Sequence, residues 1–214
     1  MKNRTYLIVP EALRFFLPPA VAALACAYLG WPVFALVFVF AALFVLWFFR
    51  NPERKIPSDP KGVVSPADGR ILKIEEVDDP EGTSGRFKKI SIFMNVFNVH
   101  VNRAPCAGTV MKIRYFKGKF LSANLDKASL ENERNVLLVS TEEGKDILVI
   151  QIAGLIARRI VCWVEEGMKL AKGERFGIIC FGSRVEVLVP GDTMVVVSRG
   201  DKVTAGETTL GYLT

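Results

Sequence analysis

Three short segments of this chain hold residue types that can activate a hydroxyl. Ser65-Pro66-Ala67-Asp68-Gly69 offers a carboxylate, residues 95–103 carry His100, the only histidine, and Phe181-Gly182-Ser183-Arg184 offers a serine after a glycine. Asp, His and Ser together can turn a hydroxyl into a nucleophile: the imidazole takes the proton and the carboxylate steadies the imidazolium. Singly, each has a plainer reading. Asp-Gly and Gly-Ser are turn dipeptides, and a lone His is often a hydrogen-bonded structural residue. The three lie 32 and then 83 residues apart, so only a fold can unite them. No G-x-S-x-G surrounds Ser183, which counts against an ordinary α/β hydrolase. With one His, and with Cys26, Cys106, Cys162 and Cys180 widely scattered, no metal site is expected and the cysteines read as free thiols.

The elements that must position these groups are mostly short strands. After a Pro-rich linker at residues 51–61, apolar and β-branched runs recur at 70–74, 89–94, 97–101, 109–115, 136–140, 146–152, 160–164, 176–181, 185–189 and 193–197. Gly, Pro, Asn and Asp separate them, as in an all-β sandwich or barrel. Residues 124–134 are the one plausible short helix. A weak repeat supports a barrel: residues 166–174 (EGMKLAKGE) return 33 residues later as 199–207 (RGDKVTAGE). Such a unit makes two tight turns around a short strand, with glycines supplying positive φ. The expected fold is mainly β, a hybrid-barrel or sandwich-like soluble domain over residues 62–214.

The first 50 residues differ in kind. From Phe15 to Phe49 the chain runs 35 residues without Asp, Glu, Lys, Arg or His, broken by Gly30-Trp31-Pro32. That is too long for one spanning helix and divides into two apolar stretches, 13–29 and 33–49, each at the short limit for a span. Lys2, Arg4 and Arg14 precede the run and Arg50, Arg54 and Lys55 follow it. Positive charge at both ends predicts a helical membrane hairpin over residues 1–50, spanning or re-entrant, with both ends on the cytoplasmic face of the cell membrane. The net charge of +6 divides evenly between residues 1–50 and the rest, with no clustered basic run, so nucleic acid is not an expected partner.

An apolar N-terminus, SPADG, the segment Asn98-Val99-His100-Val101-Asn102-Arg103 and a C-terminal Gly-Ser step, in that order, resemble phosphatidylserine decarboxylase in its short bacterial and archaeal form. The likeness covers nearly the whole chain. Two positions depart from it: many members read Leu-Gly-Ser-Thr where this chain has Phe181-Gly182-Ser183-Arg184, and Arg103 stands where longer members carry a second His. The resemblance implies a proenzyme that makes its own cofactor. Ser183 Oγ attacks the Gly182 carbonyl with His100 as base and Asp68 orienting the imidazole. The resulting ester is lost by β-elimination, and hydrolysis of the dehydroalanine leaves a pyruvoyl group at residue 183 and releases ammonia. The pieces are a β chain, 1–182, and an α chain, 183–214, held as a heterodimer. The pyruvoyl group accepts the electrons released with CO2 as membrane phosphatidylserine becomes phosphatidylethanolamine, with His100 returning the proton. Lys88, Lys89, Arg103 and Arg114 are candidates for the lipid phosphate. A rival reading takes Met168-Lys169 for the modified turn of a biotinyl- or lipoyl-like carrier or a membrane-fusion adaptor; it leaves SPADG and Ser183 unexplained.

Overall fold

The computed structural model describes residues 6–78, 82, 85–122, 131–155, 159–181 and 183–214. The chain forms two compact units, Met1–Glu53 and Arg54–Thr214. The first is a helical hairpin. Its helices, α1 (Ala12–Tyr28) and α2 (Pro32–Phe48), match the two apolar stretches to within a residue. Gly30 makes the reversal at φ +74, and Pro32 opens α2, where a missing N–H costs nothing. The hairpin's ends are tied by Val9 N donating to Phe49 O (3.0 Å) and Asn51 N to Leu7 O (2.7 Å). Among the described residues no helix is long and apolar enough to cross a membrane.

The second unit is mainly β. Its strands are β1 (Gly62–Val64), β2 (Gly69–Asp78), β3 (Arg86–Met94), β4 (Val101–Arg103), β5 (Gly108–Phe116), β6 (Arg134–Ser140), β7 (Asp146–Ala153), β8 (Arg159–Cys162), β9 (Lys169–Leu170), β10 (Arg175–Cys180), β11 (Ser183–Pro190), β12 (Met194–Val195), β13 (Lys202–Val203) and β14 (Thr209–Tyr212). Eight form one curled sheet in the order β13-β2-β3-β11-β7-β6-β5-β9, and two three-stranded sheets, β1-β14-β12 and β4-β10-β8, complete it. Alternation along the strands fills one face with Ile71, Ile90, Ile92, Leu137, Val149, Val185 and Val187. The opposite face buries Phe87, Val136, Leu148, Ile150, Ile152 and Leu188. A sheet covered on both sides accounts for the almost continuous burial of β7 and β11.

One expected strand is displaced. Residues 97–101 alternate in the sequence, but Asn95 and Asn98 divert the chain into a turn: Phe97 N donates to Asn95 Oδ1 (2.8 Å) and Asn95 N to Asn98 Oδ1 (2.9 Å). Asn side chains bond nearby backbone in this way and compete with ladder pairing. β4 therefore begins at Val101, and His100 lies in the loop before it. Most of the helix expected at 124–134 lies outside the described residues, and Arg134 opens β6.

The nine-residue repeat is structural and extends further than its sequence. β9 and β13 each lie between two positive-φ glycines, 167 and 173 in one copy, 200 and 206 in the other. They dock on opposite edges of the large sheet, Leu170 against Gly108 and Val203 against Gly69. The backbone bonds match pair for pair. Gly206 N to Ser65 O (2.8 Å) corresponds to Gly173 N to Ala104 O (2.8 Å), and Ile71 N to Asp201 O (2.9 Å) to Val110 N to Met168 O (2.8 Å). Across the axis, Val64 N donates to Pro105 O (2.8 Å) and Arg103 N to Pro66 O (2.9 Å). Ser65–Gly69 thus has a counterpart in residues 104–108, and the unit carries an internal pseudo-twofold.

Candidate active site

Asp68 sits in the loop between β1 and β2. Gly69 must be glycine there, because a Cβ would collide with the Phe93 carbonyl of β3. The Asp68 carboxylate is largely buried and fully engaged. Arg54 Nη2 donates to both oxygens, at 3.1 Å to Oδ1 and 2.9 Å to Oδ2. Ala205 N donates to Oδ1 (2.8 Å), and Val99 N lies 3.4 Å from Oδ2. The pseudo-twofold partner of Asp68 is Ala107, and its loop closes with the same backbone bonds. The turn therefore does not need the carboxylate.

His100 is completely buried. Its Nδ1 is 3.0 Å from the carbonyl oxygen of Asn98. A carbonyl only accepts, so Nδ1 carries the hydrogen, and in the neutral ring Nε2 is the basic nitrogen. In this structure Nδ1 faces the Asn98 carbonyl, and Asp68 Oδ2 lies 3.4 Å from the backbone N of Val99, the residue before His100.

Ser183 opens β11, the strand between β3 and β7, and pairs with Met94 on one side and Ala153 on the other. Its side chain is fully buried, and Oγ donates to Met94 Sδ at 3.2 Å. A thioether is a weak acceptor, so the hydroxyl is held in place without being strongly committed. Gly182 lies outside the described residues. Phe181, just before it, has φ +65, the one non-glycine residue with positive φ among those described. For a bulky side chain that conformation is strained.

The segment leading to Ser183 and the loop carrying His100 are pinned together at both ends. Val101 pairs with Ile178, Ile179 N donates to the His100 carbonyl (3.4 Å), and Met94, where the loop begins, pairs with Ser183. The fold thereby gathers three segments that the sequence keeps far apart.

Sequence reasoning missed the groups beneath this loop. Met94, Asn102, Gln151 and Asn135 form a buried polar row: Asn102 Nδ2 lies 3.9 Å from Met94 Sδ, Gln151 Nε2 donates to Asn102 Oδ1 (2.8 Å), and Asn135 Nδ2 donates to Gln151 Oε1 (3.0 Å). Polar side chains on otherwise apolar strand faces were the available signal: Gln151 interrupts the run Ile147, Val149, Ala153. Arg54 had no signal beyond its charge. Arg103 is buried with Nη1 on the Gly173 carbonyl (2.8 Å), Lys88 Nζ bonds the Thr193 carbonyl (2.9 Å), Lys89 pairs with Glu75 (2.7 Å) and Arg114 lies over Phe116. Lys169, the lysine of the carrier reading, lies in β9 opposite Thr109, and its counterpart Lys202 sits in β13 opposite Arg70. A lysine in a ladder in both copies belongs to the repeat, not to a hairpin tip presented for modification.

Comparison with known proteins supplies the family. The family model for phosphatidylserine decarboxylase matches residues 41–211. The phosphatidylserine decarboxylase proenzyme of Syntrophus aciditrophicus is 60% identical over 171 residues, 80% of each chain. That of Desulfotalea psychrophila is 52% identical over 181 residues, 85% of each. That of Burkholderia ambifaria is 48% identical over 207 residues, 97% of this chain and 96% of the relative. With Asp68, His100 and Ser183 gathered around one loop and a family match spanning the β unit, this chain belongs to the phosphatidylserine decarboxylase family.

Proposed function

We propose that the chain is a self-processing decarboxylase that converts phosphatidylserine to phosphatidylethanolamine and CO2. The observation that carries this is the pinning of the His100 loop to residues 178–183, with a strained Phe181 next to the scissile position. His100 Nε2 takes the proton of Ser183 Oγ as that oxygen bonds to the Gly182 carbonyl carbon. The Gly182–Ser183 C–N bond breaks as the imidazolium returns its proton to the freed nitrogen. The new ester is lost by β-elimination with the Gly182 carboxylate as leaving group, and water hydrolyses the resulting dehydroalanine to a pyruvoyl group and ammonia. Ser183 suits the origin of a pyruvoyl group: its hydroxyl is buried, weakly held and at the end of a central strand. Such a carbonyl supplies an electron sink for the pair released with CO2. His100, the chain's single imidazole, is the group that returns a proton to the product carbon.

After scission, β11 still pairs along its length with β3 and over Ser183–Leu188 with β7, and β13 and β14 still pair with β2 and β1. Residues 183–214 therefore stay bound to 1–182 as a heterodimer. The repeat-related turns at the two sheet edges support a hybrid-barrel description of the β unit. The hairpin meets the bilayer in this reading. Leu13, Val21, Leu24, Val33, Phe34, Val37 and Phe40 each expose more than half of their surface, far more apolar area than a water-exposed helix pair tolerates. Helices of 17 residues are about 25 Å long, short of the roughly 30 Å hydrocarbon core. A shallow hairpin at the cytoplasmic face, which keeps the catalytic unit near the lipid headgroups, fits these lengths and the flanking positive charges.

The test is decarboxylation of phosphatidylserine in mixed micelles by the purified full chain, before and after treatment with phenylhydrazine. Phosphatidylethanolamine formation that the carbonyl reagent abolishes is expected. A fully processed chain that yields no product, or activity indifferent to the reagent, overturns the proposal.

A further inference from the structure

We infer that Arg54 is a positioning residue for self-cleavage, acting through Asp68 on the loop that carries His100. The inference rests on the self-processing reading above and goes one residue beyond its catalytic set. Its starting point is the broken symmetry of the β unit. The two repeat-related loops, 65–69 and 104–108, close with the same backbone bonds, but only one carries a carboxylate, and it faces a guanidinium.

The geometry says what that pair does. Arg54 and Asp68 side chains are each only 14% exposed, so the charges are largely desolvated and depend on each other. A single nitrogen, Arg54 Nη2, spans both carboxylate oxygens. Ala205 N–H fixes Oδ1, which leaves Oδ2 directed at the Val99 N–H. Val99 precedes His100, whose own Nδ1 is fixed by Asn98. The carboxylate thus anchors the loop backbone at one side of the imidazole and the Asn98 carbonyl anchors the ring. Without the guanidinium, a buried carboxylate regains hydration by turning toward solvent and releases Val99.

A second role of Arg54 must be separated from this one. Arg54 Nη1 lies 3.6 Å from Glu207, and Lys55 N donates to the same carboxylate (3.0 Å). Those contacts strap the linker to the turn at 204–208. If Arg54 served only to hold the linker, Glu207→Gln would do comparable damage. If it acts through Asp68, the Glu207 substitution has little effect.

The experiment is a time course of conversion of the newly synthesised full chain into its two pieces, for the parent, Arg54→Ala, Arg54→Lys and Glu207→Gln, each with and without millimolar guanidinium. Arg54→Ala is expected to slow cleavage at least about tenfold, a small part of what breaking a buried pair can cost. Guanidinium ion should restore much of the rate, Arg54→Lys should fall between, and Glu207→Gln should cost less than about threefold, because Glu207 is partly exposed and 3.6 Å from Arg54. Arg54→Gln keeps side-chain length without charge and replaces Arg54→Ala if the alanine variant does not fold. Cleavage at the parent rate in the uncharged variant overturns the inference. So does slow cleavage that guanidinium leaves unchanged and Glu207→Gln reproduces. A parent chain that does not cleave itself refutes the underlying reading instead, so the two failures are distinct.

Discussion

Phe181 offers a direct way to ask whether stored backbone strain is used in self-cleavage. Its φ of +65 puts an L-residue with a large side chain in the left-handed region, immediately before Gly182. That conformation costs an L-residue about 1–2 kcal/mol and costs glycine nothing. Replacing Phe181 by Gly also removes the ring, so the informative comparison is Phe181→Gly against Phe181→Ala. Both lose the ring, and only the glycine relieves φ. If attack of Ser183 on Gly182 releases the strain, the alanine variant should cleave faster than the glycine variant by about 5- to 30-fold, the kinetic equivalent of about 1–2 kcal/mol. The assay is conversion of precursor to the two pieces, followed by gel or intact mass. The strain itself is checked in the uncleavable Ser183→Ala background. There the glycine chain should resist denaturant better than the alanine chain by up to about 1 kcal/mol, after allowing for the greater freedom of unfolded glycine. Equal cleavage rates, together with that stability difference, would show that the strain exists and that the reaction does not use it.

Three further expectations follow from the same structure. Asp68→Ala should still fold, because Ala107 fills the equivalent place in the sister loop, at a cost in stability from breaking the Arg54 pair, yet should block processing; Gly69→Ala should instead destabilise the fold without touching that pair, with Gly108→Ala doing the same, because each Cβ would meet a strand carbonyl. Circular dichroism and a cleavage gel on the same preparations separate the two effects. Val187→Ala, at a fully buried position of β11, should cost about 2 kcal/mol in denaturant titrations of the Ser183→Ala precursor. Burial pushes the Cys106 thiol up to about 12, so iodoacetamide at pH 8 should label it only after unfolding. Because the folded value lies above the ordinary one, this thiol's contribution to stability is full below about pH 9 and is lost as pH rises toward 12.

Much of this fold was legible in the sequence for a specific reason: period-two alternation and glycine punctuation are local. β2, β3, β5, β6, β7 and β11 all begin and end within a few residues of their apolar runs, and the repeated Gly-x-Lys turns could be seen directly. Misreading residues 97–101 as a strand has a local cause as well. The alternation there is real, but the Asn95 and Asn98 side chains bond the backbone first. The candidate site was legible only as residue types in a recognisable order. Arg54 joins it by a contact to Asp68, 14 residues on, and Gln151 by one to Asn102, 49 residues back, and no spacing in the sequence records that a linker arginine meets the SPADG carboxylate. The symmetry relating 65–69 to 104–108 was equally hidden, because Ser65-Pro66-Ala67-Asp68 and Ala104-Pro105-Cys106-Ala107 share little more than a proline and a glycine that follows.

The central claim is self-cleavage at Gly182–Ser183, and the intact mass of the purified full-length protein tests it most directly, beside that of its Ser183→Ala variant. The account predicts two pieces, residues 1–182 and 183–214, the smaller lacking a free amine at its N-terminus, and a single uncleaved chain for the variant. A single chain from an active preparation, a cut elsewhere, or a cleaved Ser183→Ala protein would contradict it.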